Sequence, residues 1–402
     1  MIRSVIVAGA GQTAAVAART LRRRGFEGDV LLIGEEHVAP YQRPPLSKEY
    51  LAGEESGGDL CLLTEKWCGD NDVELRLGTR VAAVRGAERA VELADGSVLR
   101  ADALLVATGG RPRRLPGVEG ERVRYLRTVA DADRLRADIR PGAHVIVVGA
   151  GFIGSEVAST ALAGGARVTV VERAGHPLAH VLGARMGAAC AALQRASGVD
   201  LRTGETVREY AESGGHAAVL TGSGRVIEGD VVVVGVGMVP NVEPLAGSGI
   251  ELDDGVVVDE YCRTSVEGVY AAGDVARHYH PLFDQRIRVE HFDHASGHGM
   301  AAAKNILGQR VPYTSPHWFW SDQFGRNLQY AGHAREWDEI VVRGRVEEFD
   351  FVAFYLDKGV LRAAFGMDRG GEVAVARSLV AARAVPDPAA LRDEDTDLTE
   401  LL

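Results

Sequence analysis

Two stretches of the chain share one order of apolar and polar positions. Uninterrupted apolar runs at residues 5–8 and 145–148 each lead into a glycine-rich turn and then into a segment of helical character. A second apolar run follows in each stretch and ends in an acid, at Glu35 and at Glu172. Continuous runs of Val, Ile and Leu predict buried parallel strands. Each stretch therefore predicts a strand–turn–helix–strand unit.

Both stretches also close in the same way. Residues 102–112 and 230–240 each contain an aspartate, an apolar strand and a turn with glycine and proline. Internal repetition of this kind predicts two copies of one structural module. We therefore expect two nucleotide-binding domains in one chain, each built around parallel strands.

The residue composition of the chain changes near residue 311. Before that point, residues 269–275 predict one more short strand ending in glycine, and residues 295–306 predict a helix. After it, aromatic residues are frequent, and the segments 349–355 and 360–365 predict antiparallel strands. Residues 372–383 predict a closing helix, and the acidic segment from Asp387 is expected to be frayed. The predicted fold class is α/β, with two Rossmann-like dinucleotide-binding domains and a C-terminal α+β domain.

Composition excludes several classes of protein. The chain has 402 residues, of which 46% are apolar and 25% charged, so wholesale disorder is excluded. A net charge of −11 argues against a nucleic-acid-binding surface. A local basic patch for an acidic protein partner is compatible with it. The candidate residues for that patch are Arg310, Arg326, Arg343 and Arg345. Each of them is alternatively an ordinary solvated surface arginine.

Cysteine content and the N-terminus bear on the compartment. The four cysteines form no Cys-x-x-Cys pair, which disfavours a structural zinc site or a thioredoxin-like dithiol. Few cysteines in a long chain fit a reducing compartment. The N-terminus lacks signal-peptide architecture, and no apolar run approaches the roughly 18 residues that span a bilayer. These features predict a cytoplasmic protein without a membrane segment.

The first glycine motif fits a dinucleotide site for physical reasons. Gly9 permits a tight turn, and Gly11 lets the backbone approach a pyrophosphate. Ala14 is small enough for close packing of the helix on the strand, and Glu35 is placed to accept ribose hydroxyls. A lone motif of this kind is also compatible with a plain packing turn. Here the strand, helix, second strand and acid occur in the expected order.

The second glycine motif predicts a nicotinamide nucleotide. It consists of Gly149, Gly151 and Gly154, and Glu172 follows at the end of the next strand. An acid at that position binds a ribose 2′-hydroxyl and repels a 2′-phosphate, so NADH is favoured over NADPH. The adjacent Arg173 leaves this preference open. Two modules suggest two different dinucleotides, one of them a diffusing nicotinamide nucleotide. The other would be a tightly held FAD, an assignment that needs more than the spacing of the motifs.

Five segments resemble one known family. They are residues 40–48, with the sequence Pro-Tyr-Gln-Arg-Pro-Pro-Leu-Ser-Lys, and residues 107–112, 149–156, 271–275 and 319–323. They resemble the FAD-dependent NAD(P)H:ferredoxin reductases of the oxygenase-coupled type, the putidaredoxin and rubredoxin reductase type, which are related to apoptosis-inducing factor. The resemblance covers residues 2 to about 385. It implies a glutathione-reductase-like fold with an FAD domain at 1–110 and 238–312, an NADH domain at 111–237 and a C-terminal domain at 313–402.

The resemblance also implies roles for individual residues. Those expected to bind FAD are Gly9, Gly11, Ala14, Glu35, Arg43, Lys48, Val81, Ala107, Thr108, Gly109, Arg127, Gly273, Asp274, Glu290, His291 and Phe292. Those expected to contact NADH are Gly149, Gly151, Ile153, Gly154, Glu172 and Gly237. Lys48, Glu156 and Trp320 are expected to be catalytic.

The three catalytic candidates have distinct expected roles. Lys48 and Glu156 would form an ion pair beside the flavin, where the lysine stabilises negative charge and the glutamate orients it. An arbitrary lysine is more often a solvated surface residue, and the position within the Arg-Pro-Pro-Leu-Ser-Lys segment reverses that expectation. Trp320 would lie near the flavin on the side that faces the ferredoxin. The alternative is that Trp320 is an ordinary aromatic residue of the core, and the same alternative holds for Trp318 and Phe319.

One segment departs from the family pattern. Residues 289–295 are closer to the matching stretch of apoptosis-inducing factor than to that of the oxygenase-coupled reductases. His291 and His294, with Asp293, could be taken for a metal site, but no further ligand lies at a supporting spacing in the sequence. We therefore expect no metal, and we expect the segment to flank the flavin.

The family implies a path for electrons. NADH would reduce the FAD by two electrons, which would leave singly to a small iron–sulfur ferredoxin, of 2Fe–2S type, that supplies a cytochrome P450 or a ring-hydroxylating dioxygenase. Residues 40–50 hold no Cys-x-x-x-x-Cys, so a disulfide-based route is disfavoured. The alternatives are an NADH oxidase and an NADH-responsive binding protein of the apoptosis-inducing-factor type, although the chain lacks a long partner-binding insertion. A monomer or weak dimer without nucleic-acid or membrane partners is expected.

Overall fold

The computed structural model describes residues 2–402, whose strands and helices follow the chain in this order. The strands are β1 (Ser4–Ala8), β2 (Asp29–Ile33), β3 (Val73–Arg76), β4 (Val81–Arg85), β5 (Ala90–Leu93), β6 (Val98–Arg100), β7 (Ala103–Val106), β8 (Gly110–Pro112), β9 (Val123–Arg124), β10 (His144–Val148), β11 (Arg167–Glu172), β12 (Asp200–Thr203), β13 (Val207–Ser213), β14 (His216–Thr221), β15 (Val226–Gly229), β16 (Val231–Val234), β17 (Met238–Pro240), β18 (Val256–Val258), β19 (Val269–Ala271), β20 (Ala276–His280), β21 (Gln285–Arg288), β22 (Trp318–Gln323), β23 (Arg326–Gly332), β24 (Glu339–Arg345), β25 (Asp350–Asp357) and β26 (Val360–Met367).

The helices are α1 (Gln12–Arg23), α2 (Glu49–Ala52), α3 (Glu65–Asp70), α4 (Val129–Asp138), α5 (Phe152–Ala163), α6 (Ala179–Ala196), α7 (Phe292–Ile306), α8 (Gly370–Ala381) and α9 (Pro388–Arg392). Short 3-10 helices occupy Pro44–Ser47, Gly86–Glu88, Glu243–Leu245, Val346–Glu348 and Leu398–Leu401. The two helices predicted near 295–306 and 372–383 are present, and each begins two or three residues earlier than predicted. Within residues 2–402, no helix combines the length and the apolar character that crossing a bilayer requires.

The chain divides into two compact units. Unit 1 consists of the described part of Met1–Gln42 together with Gly58–Arg111 and Val239–His317. Unit 2 consists of Arg43–Gly57, Pro112–Met238 and Trp318–Leu402. Neither unit is continuous in sequence, and each is described separately below.

Unit 1 is built around a five-stranded parallel sheet in the order β19-β7-β1-β2-β3. Because successive side chains of a strand point to opposite faces, β1 contributes to two cores. Val5 and Val7 pack with residues of α1 and α7, whereas Ile6 and Ala8 pack towards the antiparallel strands β4 and β5. Both faces of the sheet are therefore covered, which explains its uninterrupted apolar strands.

Unit 2 repeats this layering in its first part. Its parallel sheet has the order β12-β11-β10-β16-β9. Val145 and Val147 of β10 pack on the side of α5, and Ile146 and Val148 pack towards the antiparallel sheet β13-β14-β15. The repeated module predicted from the sequence is thus present in both units.

The second part of unit 2 is a five-stranded antiparallel sheet in the order β22-β23-β26-β25-β24. This confirms the predicted C-terminal α+β region, but β25 is not a half-buried strand. Every residue from Phe351 to Leu356 is at most 1% exposed. Phe351 and Tyr355 pack with α6, and α8 packs on β25 and β26, so both faces of the sheet are buried.

The segment that follows Asp387 is ordered, so the prediction that it is frayed was wrong. The Asp387 carboxylate accepts the backbone N–H of Ala389 and caps α9, which has proline at its first position. Leu391 and Leu398 are buried. Arg343 is 6% exposed, and its guanidinium donates to the carbonyl oxygens of residues 393, 394 and 396 and to Glu372.

The same contacts correct a second expectation. Arg343 was a candidate for a surface basic patch, and it is instead a buried structural residue. Arg326 pairs with Asp368, and Arg345 pairs with Glu348. The fourth candidate, Arg310, is exposed. Arg343 is therefore removed from the candidates for a surface patch.

Candidate functional site: two dinucleotide motifs and a buried carboxylate

The first glycine turn leads directly from β1 into α1. Gly9 has φ of +131°, and a Cβ there would lie 2.1 Å from the carbonyl oxygen of Ala107. Gly11 precedes the first residue of α1 without a side-chain cap, and a Cβ there would meet no atom within 4 Å. The positive end of α1 therefore has open space beside Gly11. This arrangement fits a phosphate group.

Packing explains the next residues of the motif. Ala14 is fully buried, as predicted. The close approach in this module is between helices, because a Cβ at Gly299 of α7 would lie 2.5 Å from the carbonyl oxygen of Thr13. Glu35 lies two residues beyond β2 and is exposed. It is thus open to a ligand but is not fixed by the fold.

Other predicted FAD residues of unit 1 lie at strand ends. Ala107, Thr108 and Gly109 follow β7, and the Thr108 hydroxyl donates to the carbonyl oxygen of Asn241 at 2.8 Å. Gly273 and Asp274 follow β19, where parallel strands of such sheets commonly present ligands. The Gly273 N–H donates to Nδ1 of His298 at 3.2 Å.

The remaining unit 1 candidates lie elsewhere. Val81 begins β4, and its side chain belongs to the apolar layer under the sheet. Glu290 accepts a hydrogen bond from Arg288 at 2.6 Å. His291 and Phe292 stand at the start of α7. The flavin contacts of these four side chains stay a prediction.

The second glycine turn leads from β10 into α5. Gly149 has φ of +99°, and a Cβ there would lie 2.4 Å from the carbonyl oxygen of Gly235. A Cβ at Gly154 would lie 2.0 Å from the carbonyl oxygen of Gly149, so the helix sits directly against the turn. Gly151 precedes α5 without a side-chain cap, and Ile153 in the first turn is 46% exposed. A second helix start is therefore open to a phosphate, with an apolar side chain beside it.

Glu172 is fixed by the backbone at the end of β11. Its Oε2 accepts the N–H of Ala150 at 2.7 Å, and its Oε1 accepts the N–H of Ala174 at 2.7 Å. A carboxylate has about four lone-pair positions, so acceptor capacity for two ribose hydroxyls remains. Gly237, with φ of +102°, follows β16 in the same unit.

Arg43 and Arg127 come together in unit 2. The Arg43 guanidinium donates to the carbonyl oxygen of Arg127 at 2.5 Å. The next residue, Thr128, caps α4 through a reciprocal pair of hydrogen bonds with Asp131. The hydrogen bond thus holds the Arg43 side chain against the backbone of Arg127, and the helix cap holds the residue that follows Arg127.

A buried carboxylate is the centre of the catalytic candidates. Glu156 is 4% exposed, and Nζ of Lys48 lies 3.6 Å from its Oε1. The predicted ion pair is thus confirmed. Two hydroxyls also donate to this carboxylate at 2.5 Å, that of Ser47 to Oε2 and that of Ser321 to Oε1. Gln323 in turn donates to the Ser321 hydroxyl at 2.8 Å.

Burial and its partners act in opposite directions on this carboxylate. Burial raises the pKa of Glu156, and the nearby Lys48 charge and the two hydroxyl donors lower it. The net direction is upward because desolvation of the charged form is the largest effect. The site therefore holds a carboxylate that is readily protonated beside a lysine.

The sequence analysis assigned no role to Ser47 or Ser321. Both lie within the segments that carry the family resemblance, at 40–48 and 319–323. That position was the available signal, but it did not reveal the hydrogen bonds. The two serines reach Glu156 from parts of the chain far apart in sequence, on a 3-10 helix and on β22.

Trp320 belongs to an aromatic pair beside Lys48. Its ring stacks on Trp318 with centroids 5.3 Å apart, and Nζ of Lys48 lies 5.9 Å from the Trp320 centroid. Phe319, between them on β22, is 7% exposed and faces the apolar core. Of the three aromatics, Phe319 therefore fits the plain core interpretation, and Trp318 and Trp320 lie half-buried on the opposite face.

The histidines require a correction. From the spacing of residues in the sequence, no group of metal ligands was expected around His294. The structure places four more histidines around it in unit 1, and His278, His294 and His298 form one group whose nitrogens lie within 4.8 Å of one another. The expectation was wrong because β20, α7 and residue 317 converge only in the folded chain.

The cysteines show no pairing among residues 2–402, where all four are free thiols. In the segment where a redox pair was considered, Pro44–Ser47 forms a 3-10 helix that presents Ser47. Burial raises the pKa of Cys190 to about 12, which keeps it protonated and unreactive.

Comparison with known protein families identifies the chain. A family model described as pyridine nucleotide-disulphide oxidoreductase matches residues 3–299. The chain belongs to this family of oxidoreductases. A second model, described as reductase C-terminal, matches residues 318–402. Together the two models cover both glycine motifs and the antiparallel sheet.

Relatives of this oxidoreductase are ferredoxin reductases. It is 34% identical to putidaredoxin reductase of Pseudomonas putida, over 99% of this chain and 96% of the relative. It is 38% identical to the ferredoxin–NAD(+) reductase component of the anthranilate 1,2-dioxygenase system of Burkholderia cepacia, over 99% of this chain and 98% of the relative.

The solved structures give the same result. The covalent putidaredoxin reductase–putidaredoxin complex matches with a TM-score of 0.95 at 35% identity, over 99% of this chain and 98% of the matched chain. The predicted family and fold class of this oxidoreductase are confirmed. Its family and relatives imply FAD and NAD(H) as cofactors, and the two open helix starts fit one dinucleotide each.

Proposed function

We propose that this oxidoreductase carries electrons from NADH through FAD to a small iron–sulfur ferredoxin, of 2Fe–2S type, that supplies a cytochrome P450 or a ring-hydroxylating dioxygenase. The observation that carries the proposal is the pairing of two uncapped glycine turns with a buried Lys48–Glu156 pair in a chain that has no Cys-x-x-x-x-Cys. Two dinucleotides can bind, and electrons must leave without a disulfide. Ferredoxin reductases among the relatives support the same conclusion.

FAD would be held mainly by the first module. The α1 N-terminus at Gly11 would bind the pyrophosphate, Glu35 the adenosine ribose and Asp274 the ribitol chain. Arg43 and Arg127 are the further FAD contacts that the family resemblance implies. When bound, FAD supplies two-electron acceptance from a nicotinamide and one-electron release to an iron–sulfur partner.

NADH would be held by the second module. The α5 N-terminus at Gly151 would face the pyrophosphate, and Ile153 would pack against the nucleotide. Glu172 already has its orientation fixed by two backbone N–H groups, so little order is lost when ribose hydroxyls donate to it. A 2′-phosphate at this place would be repelled by the carboxylate.

The protein's part in the chemistry is electrostatic. Lys48 would stabilise negative charge that develops near it, and Glu156 would hold the ammonium group in position. Ser47 and Ser321 fix the carboxylate of Glu156 at both oxygens, which leaves it little rotational freedom. The Trp318–Trp320 pair would form an apolar surface beside Lys48 that limits access of water.

The domain boundaries are those given above, 1–110 with 238–312, 111–237 and 313–402. The protein would act in the cytoplasm, a reducing compartment with which its four free thiols agree. It would act as a monomer or weak dimer. Its direct partners would be NADH and the ferredoxin.

The first experiment is anaerobic reduction of a purified 2Fe–2S ferredoxin, with NADH and NADPH compared in parallel. Fast ferredoxin reduction with NADH is the expected result. Rapid flavin reduction without ferredoxin reduction, together with a long-lived NADH–flavin charge-transfer band and an NADH-dependent change in oligomeric state, would instead favour the binding-protein alternative. Rapid oxygen consumption without any partner would favour the oxidase.

A pair of lysine variants tests the site. Lys48→Ala should retain FAD and slow its reduction by NADH at least tenfold, about 1.4 kcal/mol of barrier. Lys66→Ala is the control, because Lys66 is 82% exposed in a surface pair with Asp70. Equal reduction rates in Lys48→Ala and Lys66→Ala, measured by stopped-flow absorbance, would remove Lys48 from the catalytic residues.

A further inference from the structure

Five histidines of unit 1 form one buried group, here called the histidine cluster. His278 and His280 lie on β20, His294 and His298 on α7, and His317 at the end of the segment before β22. Each is at most 1% exposed. Histidine nitrogens brought together in a buried core are potential ligands of a metal ion. Two groups of three histidines in this core have ligand atoms within 4.8 Å of one another.

The rings surround His278. Its centroid lies 4.9 Å from those of His294 and His298, 5.5 Å from that of His280 and 5.7 Å from that of His317. Nitrogens of His278, His280 and His317 lie within 4.8 Å of one another. In a tetrahedral zinc site with bonds of about 2.0–2.1 Å, two ligand nitrogens are about 3.3 Å apart. Small ring rotations would close the remaining gap.

Burial disfavours the charged form of three of these histidines. Burial lowers the pKa of His280 and of His294, and it lowers that of His298 to about 3. Neutral imidazole has one nitrogen with a free lone pair, and this is the form that binds metal ions.

Hydrogen bonds decide which nitrogens are available. Nε2 of His280 lies 3.0 Å from the carbonyl oxygen of Ser315, which can only accept, so Nε2 carries the proton and Nδ1 keeps its lone pair. Within residues 2–402, Nδ1 of His280 has no hydrogen-bond partner. A ligand histidine typically has this arrangement, with the second nitrogen donating to a carbonyl.

His298 shows the opposite arrangement. Its Nδ1 accepts the N–H of Gly273 at 3.2 Å, so the proton of its neutral ring lies on Nε2. Coordination through Nε2 would require loss of that proton or of the Gly273 hydrogen bond. Of the two groups of three that the structure offers, the one with His280 is therefore better prepared than the one with His298.

We propose that His278, His280 and His317 bind one divalent transition-metal ion of the Zn²⁺ or Co²⁺ class. Three imidazole ligands without a thiolate suit this class, whereas Mg²⁺ and Ca²⁺ require oxygen ligands. Water or the neighbouring His294 completes the coordination, and His294 is oriented by the Tyr313 hydroxyl, 3.2 Å from its Nδ1. The ion would join β20 to the segment that ends at His317. The site goes beyond the proposed function and does not depend on it.

The test uses the tag-free FAD-bound protein. Metal is removed with a chelator, and the protein is titrated with Co²⁺ while the ligand-field bands at wavelengths beyond the flavin absorption are recorded. The expected result is saturation at about one Co²⁺ per chain and full displacement by Zn²⁺, with zinc in the freshly purified protein by mass spectrometry. Absence of ligand-field bands together with absence of zinc would overturn the proposal.

Variants then assign the ligands. His280→Asn and His317→Asn should each weaken Co²⁺ binding at least tenfold, whereas His298→Asn should change it less than about threefold. His216→Ala is the control, because this histidine lies on β14 of unit 2 with a side chain that is 66% exposed. Loss of binding in His216→Ala, or in His298→Asn alone, would contradict the assigned ligand set. If the ligand variants do not fold, the stoichiometry and ligand-field spectrum of the unaltered protein decide.

Discussion

The two glycine motifs have the same order of residues but are built differently. In the second module, the helix touches the turn itself, since a Cβ at Gly154 would lie 2.0 Å from the carbonyl oxygen of Gly149. In the first module, the corresponding residue is Ala14, and the tight approach lies instead between α1 and α7 at Gly299. The residue at the third position of the motif, Gly154 or Ala14, thus differs with the part of the chain against which the following helix packs most closely.

The acids and the helices differ as well. Glu172 is held by two backbone N–H groups, whereas Glu35 is exposed. Two residues after Gly154, α5 carries the buried Glu156, and at the matching place α1 carries Val16. A module can therefore keep one nucleotide-binding turn and acquire catalytic groups on the same helix. The second module combines both tasks, and the first is built for binding.

The largest effect is expected for Gly154→Ala. The added methyl group would meet a backbone oxygen that cannot move aside, so α5 must shift, at a cost of about 3 kcal/mol in the free energy of unfolding. Chemical denaturation measures this. Gly69→Ala is the control, because Gly69 lies in α3 with no atom within 4 Å of its Cβ position. Equal stability of the two variants would show that α5 is not tightly packed on its turn.

The next effect separates stability from activity at Glu156. Glu156→Gln should slow flavin reduction at least tenfold, because Lys48 loses its charged partner. Its stability at neutral pH should change less than its activity, because removal of a buried charge is favourable whereas loss of the partner of Lys48 is unfavourable.

The pH dependence has a definite sign. Since the pKa of Glu156 is raised in the folded state, its favourable contribution is present below the ordinary carboxyl pKa of 4.5 and is lost as the pH rises through the raised value. The stability of the wild type relative to Glu156→Gln should therefore fall with rising pH. The exposed variant Glu119→Gln is the control. A trend of opposite sign would mean that Lys48 outweighs burial.

Gly11→Ala distinguishes binding from packing in the first module. A methyl group there meets no protein atom, so the unfolding free energy of the FAD-free protein should remain within about 0.5 kcal/mol. FAD affinity should fall about 30-fold, near 2 kcal/mol, if the backbone at Gly11 approaches the pyrophosphate. Reconstitution with FAD, followed by flavin fluorescence, provides the measurement. Unchanged affinity would place the phosphates elsewhere.

Glu172→Ala tests nucleotide choice. Removal of the carboxylate should lower the NADH-to-NADPH ratio of kcat/KM by about tenfold, since a 2′-phosphate would no longer be repelled. The control is Arg173→Ala, at the exposed residue next to Glu172. This variant should raise the NADH-to-NADPH ratio or leave it unaltered. If the ratio stays the same in Glu172→Ala, this acid does not select the cofactor.

The smallest effect is expected for Ala14→Gly. The buried position gains no clash, and the helix loses about 1 kcal/mol of stability from the greater freedom of glycine in the unfolded chain. FAD affinity should be nearly unaffected. A loss comparable to that of Gly154→Ala would show that both modules depend equally on their third position.

How far the sequence predicts this molecule depends on the distance over which a signal acts. Gly9, Gly149 and the acids were predictable because turn geometry and strand ends are local. The cluster around Glu156 was only half predicted: the resemblance supplied Lys48, but the hydroxyls of Ser47 and Ser321 meet the carboxylate through folding alone.

Burial across distant segments was predicted least well. Arg343 looks like a surface residue in the sequence, and only the folded segment around residues 393–396 surrounds its guanidinium. The histidine cluster was missed for the same reason, because β20 and His317 have no periodic relation to His294. Polar groups whose partners lie far away in sequence give no local pattern.

The division of unit 1 into three segments has a consequence for biosynthesis. β1 is made early, but β19 of the same sheet lies beyond residue 239, so unit 1 cannot close its sheet until most of the chain has been translated. The parallel sheet β9–β12 with β16 lies wholly within Pro112–Met238 and has its partners at hand much sooner. Long-range strand pairing is slow, so we expect the inner module to fold first on the ribosome while the N-terminal strands await their last neighbour, dependent on chaperones for protection.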